Sequence, residues 1–138
     1  MSDHTIERSQ RLAALYLQLA NQLPHSAPRD TLHRLLLLAA RHACDAGWHV
    51  EANLCQECVR RDNPRHLVSR FPTMPAALLS ADYLDFERQL KRQCPQERAE
   101  HLAEVQRLDD PAVTFDSPLR AARHFLERLS LDEPVDGD

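Results

Sequence analysis

Apolar residues recur along this chain three and four apart, the spacing that lines one face of a helix. Ile6, Leu12, Ala13, Tyr16, Leu19, Ala20 and Leu23 form the first such face and predict a helix from Ser2 or Asp3 to Leu23. Pro24 to Pro28 reads as a linker, with Pro28 suited to the first turn of a second helix over about 28–46. There Leu32, Leu35, Leu36, Leu37, Leu38, Ala39, Ala40 and Ala43 cover more than one face. A helix apolar most of the way round is central in the packing.

Gly47 is placed to cap that helix at its C-terminus. A third helix is predicted over about 48–61, with Leu54, Cys55, Cys58 and Val59 turned inward. Asn63-Pro64 reads as the cap and first position of a short helix to about 70. Phe71 to Pro75 makes a rigid break, followed by a short turn to about residue 80. Later helices are expected at about 82–93, capped by Asp82, at 95–108, and from Ser117-Pro118 to Leu131. Their inward residues are Tyr83, Phe86 and Leu90, then Ala99, Leu102 and Leu108, then Leu119, Ala122, Phe125, Leu126 and Leu129.

Composition narrows the fold class. The chain has 22 Leu and 17 Ala against 11 β-branched residues, with only 2 Gly. Strands want β-branched and aromatic side chains, and tight hairpins want glycine. The expectation is an all-α fold, an irregular helical bundle or short helical array of about six or seven helices. A glycine-rich phosphate loop, a doubly wound sheet and a β-barrel are excluded on the same grounds. At 138 residues the chain is one domain's worth, with residues 1–131 as that domain and 132–138 as an acidic, disordered tail.

Charge and cysteine content add the setting. Net charge is −4, and removing the tail leaves the body balanced, so no nucleic-acid signature stands out. Every basic residue but Lys91 is arginine, a bias that points to a GC-rich bacterial genome. No apolar run approaches the length of a membrane span, and the N-terminus lacks a leader pattern, so a cytoplasmic protein with reduced cysteines is expected.

One segment carries a pattern. Gly47, Ala52 and Pro64 are spaced by five and twelve, Glu51 precedes Ala52, and Ala40 and Ala43 precede Gly47 by seven and four. Residues 33–64 thereby resemble a single tetratricopeptide (TPR) repeat, in which small residues let two antiparallel helices approach and glycine makes the turn. Ala81-Asp82-Tyr83 follows Gly47 by one repeat length, but Phe86 and the prolines at 72 and 75 depart from the pattern. The resemblance implies a groove that binds a peptide or partner helix, and it carries no catalytic residue.

Candidate chemistry falls into three groups. Cys55 and Cys58, one helical turn apart, could hold two corners of a zinc tetrahedron with His42 or His66, or could simply pack as small hydrophobes. Cys94, next to the helix-starting Pro95 and one turn after Lys91, has the placement of an activated thiol or of an ordinary cap. Arg60, Arg61, Arg65 and Arg70 form a basic run that suits an anionic partner, with Trp48 as a candidate hot spot. Aromatic residues are only 5%, which argues against a single-strand stacking surface.

These readings converge on a small bacterial cytoplasmic domain, adaptor or regulatory, that binds another protein or peptide without catalysis or a cofactor. Its expected face is Trp48, Arg60, Arg61, Arg65 and Arg70, and a homodimer is compatible with it. The alternatives are a metal-binding bundle using Cys55, Cys58, His42 and His66 with zinc, and a weak nucleic-acid-binding regulator.

Overall fold

A computed structural model describes residues 3–94, 96–105, 108 and 115–131. They contain seven α-helices and no strand, an all-α short helical array. The helices are α1 (Asp3–Asn21), α2 (Arg29–Asp45), α3 (His49–Asp62), α4 (Met74–Ala77), α5 (Ala81–Gln93), α6 (Gln96–Val105) and α7 (Pro118–Leu131). A 3-10 turn spans Leu67–Arg70. The tail from residue 132 lies outside the described residues.

The turn between α2 and α3 is built as glycine chemistry dictates. Gly47 has φ +81°, its N–H donates to the Cys44 carbonyl at 3.0 Å, and the Trp48 N–H donates to Ala43 at 2.7 Å. This pair of bonds closes a Schellman motif, which needs a residue in the left-handed region at that position. The chain therefore reverses within three residues, and α3 returns along α2.

Four helices form the body. α1 packs on α2, α2 on α3, and α7 lies across both α1 and α3. The smaller α4 and α5 cover α2 from another side, while α6 leans on α1. Leu35 to Ala40 are all buried in α2, as its apolar circumference predicts. α1 is buried more widely than its predicted single face. Ala14 and Leu17 join Leu12, Ala13, Tyr16, Leu19 and Ala20 in the core, because α1 meets α2, α6 and α7.

Several local expectations are corrected. α1 ends at Asn21, two residues short of Leu23, and Pro28 caps α2 rather than opening its first turn. α5 is capped by Ser80, whose hydroxyl accepts from the Tyr83 N–H, not by Asp82. Asn63-Pro64 opens no α-helix. Asn63 ends α3, its side chain accepts from the Arg65 N–H, and His66 caps the 3-10 turn instead. Leu54 is 45% exposed and Leu102 37%. In place of Leu54, α3 buries Glu51 and Gln56. The reason is tertiary: α7 and the segment after α3 flank this helix, and both bring polar partners.

Candidate functional site

At the open end of the α2–α3 hairpin, the C-terminus of α3 meets the first turns of α2. Asp62 accepts from Arg29 Nε at 2.8 Å and from His33 Nε2 at 2.6 Å through the same carboxylate oxygen. Arg29, then His33, hold the Asp62 carboxyl below the usual carboxylate range, against the opposing effect of its burial. A carboxylate only accepts, so His33 Nε2 carries a proton. His33 Nδ1 is buried with no hydrogen-bond partner.

The segment after α3 is tied down by α3 itself. Gln56 is 1% exposed, and its Nε2 donates to the carbonyls of Val68 at 3.0 Å and Phe71 at 2.9 Å. Arg60 donates to the Phe71 carbonyl and to Glu57, each at 2.6 Å. Asn53 Oδ1 accepts from the Met74 N–H at 2.8 Å. These bonds set His66 beside the hairpin. His66 Nδ1 accepts from the Val68 N–H at 3.1 Å, so neutral His66 carries its proton on Nε2. Burial, and after it the neighbouring His33, push the His66 pKa down, against the opposing effect of Asp30.

α5 supplies the opposite wall. Phe86 meets His66 edge to face with centroids 5.2 Å apart, and His66 meets His33 the same way at 6.1 Å. Between them lies a cleft of about 200 Å³, lined by these three rings, by Asp30 and Arg34 of α2, and by Gln89, Leu90 and Gln93 of α5. Arg34, Arg65 and Arg70 are exposed, and no ion pair engages them among the described residues.

The anticipated partner residues are split by the fold. Arg60, Arg61, Arg65 and Arg70 gather at the C-terminal end of α3 and just beyond it. Trp48 sits at the other end of α3, about 18 Å away at 1.5 Å per residue, and is half-buried against the core. Arg60 is committed to Glu57 and Phe71.

The four metal candidates are not drawn into one cluster. Cys55 is fully buried, and burial holds its thiol well above its ordinary range. Cys58 is half-buried one turn on and meets Arg61 at 3.9 Å. His42 stacks on Tyr16 of α1, while His66 faces His33 and Phe86. No group of three or more potential ligands comes together among the described residues. Cys94 caps the C-terminus of α5, and burial raises its pKa, the opposite of an activated thiol.

The cleft itself was missed in the sequence. Nothing local pairs His33 with Asp62, 29 residues away. No family model, curated protein or solved structure matches this chain.

Proposed function

We propose that this is a protein-binding domain that receives an acidic segment of a partner at its arginine-rich end. The observation that carries the reading is that Arg34, Arg65 and Arg70 are exposed and outside any ion pair among the described residues, with Arg34 lining the ring-lined cleft and Arg65 next in sequence to His66 of that cleft. Paired guanidinium groups are already spent on the fold, as Arg29 and Arg60 are; unpaired ones present planar donor forks for carboxylates.

The reading favours binding over catalysis and a protein over a nucleic acid. Aromatic residues are only 5% of the chain, too few for a surface that stacks successive bases. The TPR resemblance of residues 33–64 supports it, since such hairpins present peptide grooves. The arginine bias and the four free cysteines support a bacterial cytoplasmic setting. Relative to the sequence expectation, Arg34 joins the face, and Trp48 and Arg60 leave it.

Fluorescence anisotropy tests this with labelled glutamate-rich peptides and their lysine-rich counterparts. The acidic peptides should bind, more weakly as salt rises, and the basic ones should not. The pair Arg65→Glu and Arg70→Glu should weaken binding about tenfold, ~1.4 kcal/mol, without changing helical content. Equal binding of both peptide classes, or indifference to charge reversal, would refute the reading.

A further inference from the structure

We infer that the cleft between α2 and α5 is an anchor pocket that takes one aromatic side chain of the acidic partner segment. The inference rests on the partner binding proposed above and adds what gives that binding its specificity.

Size decides the class of occupant. Sites for cofactors and drug-sized ligands run from roughly 300 to 1,000 Å³. This cleft, at about 200 Å³, is smaller and has room for a single bulky side chain. Interfaces draw much of their affinity from one or two such anchors seated in pockets, ringed by contacts that keep water out.

The lining decides the chemistry. His66 and Phe86 already meet edge to face, at 81° between ring planes, and present further ring edges and faces to an occupant. Aromatic rings prefer offset or edge-to-face partners at 4.5–7 Å, a geometry an aliphatic side chain cannot use. The rim decides the flanking charge. Arg34 lines the cleft, and Arg65 directly precedes His66. One carboxylate, Asp30, faces them from the lining, since Asp62 is held by Arg29 and His33. Carboxylates flanking the anchor would meet Arg34 and Arg65. Gln89 and Gln93, one turn apart on α5, offer amide donors and acceptors to the partner backbone.

The test compares two fluorescein-labelled glutamate-rich peptides, one with a central phenylalanine and one with alanine at that place. The phenylalanine peptide should bind the native protein about tenfold more tightly. Phe86→Ala should bring the two affinities together while leaving the alanine peptide unchanged. Should Phe86→Ala lose helical content, Gln89→Trp serves instead, since Gln89 is exposed and a bulky ring there crowds the mouth. Arg34→Glu should weaken both peptides alike. Equal affinities on the native protein would overturn the anchor pocket and leave acidic-segment binding intact. Binding of neither peptide would instead remove the underlying reading.

Discussion

His42 shows how one side chain ties stability to pH. Its ring lies flat on Tyr16, 4° from parallel, with centroids 5.6 Å apart. Burial, the largest influence, pushes its pKa down from 6.5 to about 4, with Asp45 pulling the other way. A folded pKa below the unfolded one means the fold favours the neutral ring. That stability is intact above about pH 6.5 and drains away as pH falls toward 4. Asp62 acts in a lower window. Its depressed pKa contributes stability above the ordinary carboxylate range, lost only on further acidification. His42→Phe keeps the stack without the titration. Between pH 7 and 5 the variant should lose about 1–2 kcal/mol less stability than the native protein, read by urea unfolding. Parallel pH profiles would show that His42 is not the sensitive group. The helical spacing of the sequence placed His42 on α2, but its burial, the largest influence on its pKa, arises only in the tertiary structure, where the ring stacks on Tyr16 of α1.

Among the elements, α3 does two jobs. One side packs in the core through Ala52, Cys55 and Val59; another clamps the segment that positions His66. Gln56→Leu removes two hydrogen bonds, one buried and one part-buried, while Val68 and Phe71 each keep one other donor. The expected cost is about 1–3 kcal/mol. Amide exchange should quicken across Val68 to Phe71 and hardly change in α1. Unchanged exchange there would mean Arg60 and Asn53 hold the segment unaided. The bounds of α2, α3 and α7 were legible within a residue or two, because Gly47, Ser117 and Pro118 act locally. The inward residues of α3 were not. A polar residue in a helix reads as outward unless one knows that backbone carbonyls will arrive opposite it.

For the whole molecule, α2 is the shared element, meeting α1, α3, α4 and α5. Leu37 is fully buried there. Leu37→Ala should cost about 2–5 kcal/mol, through lost burial and the cavity left behind. Trp48 fluorescence reports the α2–α3 turn and circular dichroism reports all helices. If the array unfolds as one unit, both should shift to the same lower urea midpoint. Separate midpoints would divide it into independent parts. The cleft also belongs to this scale, since it exists only because α5 and the segment after α3 are laid beside the start of α2.

Taken by itself, the sequence determined the all-α class, the approximate helices, the central place of α2 and the turn at Gly47. All of these follow from short-range physics: helical periodicity, the shortage of β-branched residues, and glycine's access to positive φ. Only the tertiary structure decided that His33 meets Asp62, that Glu51 and Gln56 are buried, that Leu54 is exposed, and that Arg34 shares a cleft with His66 and Phe86. Those outcomes depend on which helix lies against which. A helix's spacing shows what it can bury, whereas its neighbours settle which side it does bury.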